Sequence, residues 1–140
     1  MVVTENVENS MNEKKLERQV FLKKDVRDGI LSFCKIKHPN EGILVLHGKN
    51  KKGMITIDGL VFPPFAYYGA TYSGFPHYML PADPSYVGIV HSHPIGSAKQ
   101  SITDQNNFWG LIALIVKFPY EDGDIFAWDS QGNSVKLTVI

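Results

Sequence analysis

Leu22, Val26, Ile30 and Cys34 recur every four residues, Leu31 and Phe33 widen the stripe, and charged residues fill the opposite face. That spacing predicts an amphipathic helix over about residues 12–37. Pro39 ends it, because the residue before a proline is pushed out of helical geometry. Beyond it the apolar period shortens. GILVLHG (42–48) is an unbroken apolar run of strand length, KNKKG (49–53) is a charged turn, and MITIDGLVF (54–62) alternates as a hairpin partner would. Residues 63–81, rich in proline, glycine and aromatics, predict a loop with one broken strand. SYVGIVHSH (85–93) predicts a strand with Val87, Ile89, His91 and His93 on one face. SITDQNNF (101–108) predicts a short helix. Residues 109–118, 124–130 and 134–140 predict three more strands, separated by turns at Gly123 and at QGN (131–133).

The expected class is therefore α+β: a mostly antiparallel sheet flanked by a long N-terminal helix and a shorter helix after the histidines. Residues 1–12 lack an apolar pattern and are expected to be a disordered lead-in, with one domain over 13–140. Composition narrows the function. Lys plus Arg equals Asp plus Glu at 14 each, so no net field draws the chain to nucleic acid or an anionic membrane. The longest apolar run, residues 109–116, is too short for a membrane helix. No basic start followed by an apolar segment marks a secretory signal, and Cys34 is the single cysteine. A cytoplasmic protein is expected, and any metal site must use His, Asp or Glu.

The chemistry concentrates in residues 88–104. His91 and His93 sit one apart on a predicted strand, so both imidazoles face the same way. Pro94 turns the chain away, and Asp104 on the following short helix can return to complete a three-ligand set. Hydrolytic zinc takes such a set and keeps one position open. Ser101, one helical turn before Asp104, is placed to donate to an oxyanion. Glu41, a charge at the mouth of an apolar strand, is the candidate base. Each part has a plainer reading. An H-x-H pair is usually surface or packing, and S-x-x-D before a helix is a capping box. Together with Pro94 and Glu41, the combination favours metal chemistry.

Glu41, then His91-Ser92-His93-Pro94, six residues, Ser101, two residues and Asp104 resemble the motif of the JAMM (MPN+) metalloprotease family. The order of strands and helices from about residue 13 to 140 resembles the MPN (JAMM, cytidine-deaminase-like) fold of its minimal archaeal and bacterial members. The resemblance implies one Zn2+ per chain held by His91, His93 and Asp104. It implies Glu41 as the acid–base group and Ser101 as the oxyanion donor. It also implies substrates in which a peptide or isopeptide bond follows the C-terminal Gly-Gly of a ubiquitin-like small modifier. Some bacterial relatives release an amino acid from a sulfur-carrier protein instead. Two positions depart from the family's pattern: Leu44 and Gln100 stand where glycine and proline are common.

The alternative is a catalytically silent MPN scaffold that mediates protein–protein contacts; silent members commonly lose the ligands, and this chain keeps them. Ser92 points away from the histidines and is expected to be structural. His38, His47 and His77 have no partner at ligand spacing. The aromatic residues of 62–78 are expected to serve packing, or else to line a groove for an extended Gly-Gly tail.

Overall fold

The structure, a computed structural model, describes residues 17–64, 66–69, 73–106 and 108–140. The expected lead-in over residues 1–12 lies outside the described residues.

The chain runs β1 (Gln19–Leu22), α1 (Lys24–Lys37), β2 (Ile43–Lys51), β3 (Met54–Val61), β4 (Tyr67–Tyr68), β5 (Ser73–Gly74), β6 (Tyr86–His93), α2 (Ile102–Asn106), β7 (Ile112–Lys117), β8 (Ile125–Asp129) and β9 (Ser134–Val139). Seven strands close into a barrel in the order β1-β3-β2-β6-β7-β8-β9, and β4 and β5 form a separate two-stranded ribbon. The α+β architecture matches the expectation, with four antiparallel ladders in the barrel. The sheet is nonetheless mixed: β6 runs parallel to β7, and β1 runs parallel to both β3 and β9.

Two sequence expectations need correction. The long helix over 12–37 begins only at Lys24, because Gln19–Leu22 is a strand. Leu22 continues the fourfold spacing by coincidence; its backbone pairs with Ile57 and Val139, and that closure of the barrel outweighs helical periodicity. The true helical stripe is Val26, Ile30, Leu31 and Cys34. Lys35 and Lys37 in its last turn complement the helix dipole, and His38–Pro39 follow as the predicted stop.

The second correction concerns β6. Val87 does not share the face of Ile89. In the pairing with β2, Leu46 meets Gly88 and His47 meets Tyr86, so Val87 is an extra residue in a bulge. The bulge turns it into the main core, with Leu44, Leu46, Ile55, Ile57, Ile112 and Leu114 against the stripe of α1. Ile89 stays on the opposite face with Ile43 and Ala113, under Tyr68, Phe75 and Trp109. Past the bulge the alternation is regular, so His91 and His93 continue the face of Ile89 while Val90 and Ser92 face α1.

Gly88 shows how tightly β6 and β7 approach. A Cβ there would run into the backbone carbonyl of Ile112. Among the described residues no helix is long and apolar enough to cross a membrane.

Gly88→Ala is expected to destabilise the protein by about 3 kcal/mol, because the obstacle is backbone and cannot rotate aside. Urea unfolding checks this; a midpoint equal to that of the parent would refute it.

Candidate metal centre

Antiparallel register places the residues of the site. Ile43 of β2 lies opposite His91 of β6. One step on, the Ser92 backbone N–H donates to the Gly42 carbonyl at 3.1 Å. Continuing that register by one more residue brings Glu41 alongside His93, and directly opposed residues share a face. Glu41 is buried, at 8% exposure, as are His91 and His93. Its backbone N–H donates to the carbonyl of Gly69, which follows β4, at 2.6 Å, so the aromatic ribbon is fastened to the Glu41 position.

The Gly42 N–H donates to the Ser92 hydroxyl oxygen at 2.8 Å. Ser92 is fully buried, and the same hydroxyl bonds the Cys34 side chain of α1. Gly42 fits closely here, because a Cβ would press into the Phe33 ring and force it to shift. This accounts for a glycine adjacent to Glu41 where the family's pattern commonly has one three residues on. Ser92 is thus structural, as expected, and it ties β6 to the segment that carries Glu41.

Asp104 arrives from the first turn of α2. Its Oδ2 accepts the backbone N–H of Ser101 at 2.9 Å, and the Ser101 hydroxyl oxygen accepts the N–H of Asp104 at 3.0 Å. This reciprocal cap lets a helix of five residues form. The carboxylate caps and faces the histidines at once, with Oδ2 3.0 Å from His93 Nε2 and Oδ1 3.9 Å from His91 Nε2. The expectation that capping and facing the histidines compete for Asp104 is corrected by this geometry, since one carboxylate oxygen reaches both the Ser101 N–H and His93.

His91, His93 and Asp104 each offer one ligand atom, and the three atoms lie within 4.8 Å of one another. Ligands about 2.1 Å from a tetrahedral zinc stand about 3.4 Å apart, so the observed spacings bracket what one ion requires. The tautomer fits as well. His93 Nδ1 lies 2.8 Å from the Ser97 carbonyl, which can only accept, so Nδ1 carries a hydrogen, and Nε2, 3.0 Å from the Asp104 carboxylate, is the nitrogen a cation would take in place of its proton. Two nitrogens and a carboxylate oxygen are a donor set suited to zinc.

The electrostatics agree. Burial pushes the His91 pKa down to about 4, keeping that ring neutral at pH 7 against the pull of Asp104. Burial also opposes a charge on Asp104, but the His93 hydrogen bond, His91 and the Ser101 N–H outweigh it and hold the carboxyl at about 2. Burial disfavours the cationic form of His93 too. The bonds to Asp104 and Ser97, with the charges of Asp104 and Glu41, more than compensate and raise its pKa.

A family model described as prokaryotic homologs of the JAB domain matches residues 23–131. The chain belongs to this JAB family. A Haloferax volcanii protein named a probable metalloprotease is 30% identical over 126 residues, covering 83% of this chain and 76% of that one. Among solved structures, one described as a JAMM metalloprotease-like zinc site in the proteasome and signalosome superposes with a TM-score of 0.62 at 25% identity. It covers 89% of this chain and 99% of the other. A JAB1/MPN domain protein from Archaeoglobus fulgidus shares the fold with a TM-score of 0.62 at 23% identity, over 90% and 98% of the two chains. The JAB fold is the one expected from the sequence, and the His-His-Asp cluster is the kind of metal site that accompanies it.

The remaining histidines of this JAB domain are satisfied elsewhere, as expected. His38 Nδ1 and the Tyr120 hydroxyl share a hydrogen bond of 2.7 Å, His47 pairs with Asp58 at 2.7 Å, and His77 packs against Phe75 and Trp109. The Gln100 side-chain amide, next to Ser101, is buried with neither polar atom paired. Sequence reasoning missed three contributors: the carbonyls of Gly69 and Ser97, and the indole of Trp128, which bonds the loop after β6. Backbone acceptors leave no residue-type signal, and Trp128 lies far along the chain from the motif.

Ser92→Ala is expected to cost about 1–3 kcal/mol, because it strips the Gly42 N–H of its hydroxyl partner inside the core. Urea denaturation reads this, and a loss below about 0.5 kcal/mol would contradict the role given to Ser92.

Proposed function

We propose that the chain is a zinc-dependent metalloprotease of the JAMM type that hydrolyses the peptide or isopeptide bond after the C-terminal Gly-Gly of a ubiquitin-like modifier. The observation that carries this reading is the convergence of His91, His93 and Asp104 on one point, with buried Glu41 in register beside His93. The name of the Haloferax relative and the zinc site of the 25%-identical structure support it.

In this reading His91, His93 and Asp104 hold zinc, which when bound supplies a Lewis acid and makes water acidic near neutral pH. The Glu41 carboxylate takes the proton of the attacking water and returns it to the leaving amine. The Ser101 hydroxyl already accepts the Asp104 N–H, which leaves its own O–H to donate to the oxyanion. A cap and an oxyanion donor are compatible uses of one hydroxyl.

The substrate class is supported by the surroundings of Glu41. The β4–β5 ribbon, tied to Glu41 through Gly69, borders the site with Tyr67 62% exposed. A two-stranded ribbon can accept an extended chain at its edge, and a Gly-Gly tail has no side chains to obstruct a narrow approach. Tyr68 and Phe75 of the same stretch serve packing. Phe65 and Tyr72 lie outside the described residues.

Elemental analysis of the purified chain is expected to give one zinc, lost in His93→Ala. Glu41→Gln is expected to retain zinc while cleavage of a modifier fused through Gly-Gly to a reporter falls at least about 100-fold. Absence of zinc from the parent even after metal is added would overturn the proposal. Full turnover by Glu41→Gln would remove Glu41 from it.

A further inference from the structure

Residues 94–100, which join β6 to the capped start of α2, contain no helix or strand. Two successive carbonyls in this loop are each held by a side-chain N–H. The Ser97 carbonyl accepts His93 Nδ1–H at 2.8 Å. The Ala98 carbonyl accepts the indole N–H of Trp128 at 2.9 Å. Trp128 lies on β8, two strands from β6 across β7, and Ala98 is buried at 8% exposure.

A carbonyl in an irregular loop is a poor orienting partner for an imidazole unless something fixes the loop. Peptide planes 97 and 98 are adjacent, so fixing the Ala98 oxygen restricts the rotation available to the Ser97 oxygen. The ring plane of His93 follows the Ser97 oxygen. Its Nε2 belongs to the same rigid ring and is displaced with it when the plane tilts. The indole suits such a clamp, being donor-only and rigid.

We infer that Trp128 is a positioning residue for the metal centre, acting through the Ala98–Ser97 loop to hold His93 in its ligating orientation. The inference rests on the reading of His93 as a zinc ligand. Trp128 itself is not one of the residues proposed to hold zinc; its indole N–H bonds the Ala98 carbonyl. Phe126, on the same face of β8 two residues earlier, provides the comparison, since it has no N–H to offer the loop.

The test is zinc affinity, which needs no substrate. Competition against a chelator on the full chain is expected to give Trp128→Phe a zinc Kd about three- to tenfold above the parent. That lies below the roughly 10–100-fold cost of removing a ligand's direct partner, because Trp128 acts one step further out. Phe126→Leu is expected to leave the Kd unchanged. Coupling is reciprocal, so zinc must strengthen the Trp128 bond by the same factor. In the parent protein, exchange of the Trp128 indole hydrogen with solvent, followed by NMR, is expected to slow about three- to tenfold on zinc loading. Trp109→Phe assigns the signal if Trp128→Phe does not fold. A Trp128→Phe Kd within about twofold of the parent, an equal loss in Phe126→Leu, or indole exchange indifferent to zinc would overturn the inference. A parent protein that binds no zinc fails earlier, and fails the proposed function.

Discussion

The reciprocal pairing of Gly42 with Ser92 is the constraint on which the site depends. Two hydrogen bonds join these residues, one between backbones and one to the Ser92 hydroxyl. They place Ile43 opposite His91 and so Glu41 beside His93. Because side chains alternate with period two, a slip of one residue would send Glu41 toward α1 and the main core. What forbids the slip is apolar. Leu44 and Leu46 are almost fully buried against α1, and the Phe33 ring lies where any side chain at position 42 would sit. The placement of the Glu41 carboxylate is thereby decided by the packing of leucines and a phenylalanine on the other face of the same strand.

That packing also has to offset an unfavourable electrostatic arrangement. Glu41 and Asp104 bring two carboxylates close to His93, Glu41 buried and the Asp104 side chain only 12% exposed. Two largely buried anions with neutral histidines are costly, and a cation among them relieves the cost. A proton on His93 balances one charge. A divalent ion with both imidazoles neutral balances two, and the low pKa of His91 already keeps that ring unprotonated. The distribution of charge is thus compatible with a cation at the point where His91, His93 and Asp104 converge.

The local features were legible in the sequence. The H-x-H pair on a strand and the short helix carrying Asp104 follow from alternation and capping, while the role expected of Glu41 rests mostly on the family resemblance. Strand existence was legible for the same reason, since each run carries its own pattern. Non-local pairing was not. Leu22 fits a helical spacing, yet barrel closure with β3 and β9 makes it a strand residue. Val87 fits the alternation, yet a bulge set by the pairing of β2 with β6 inverts it. The alignment of Glu41 with His93 depends on register, which leaves no mark in either strand alone.

The same division separates what binds from what positions. The three ligand candidates and Ser101 fall within residues 91–104, so their spacing is a motif. The groups that orient them come from α1, from the segment before β2, from the end of β4 and from β8: Cys34, Gly42, Gly69 and Trp128. None of these is recognisable by residue type, because two act through backbone atoms and the others through single bonds to neighbours of the working residues. A chain could keep all the motif residues and still hold them loosely. The precision of this centre therefore resides in the barrel's register and in the bonds that fasten its loops. Changes far from the motif should then act first on metal affinity and on the reach of Glu41, before they alter the fold.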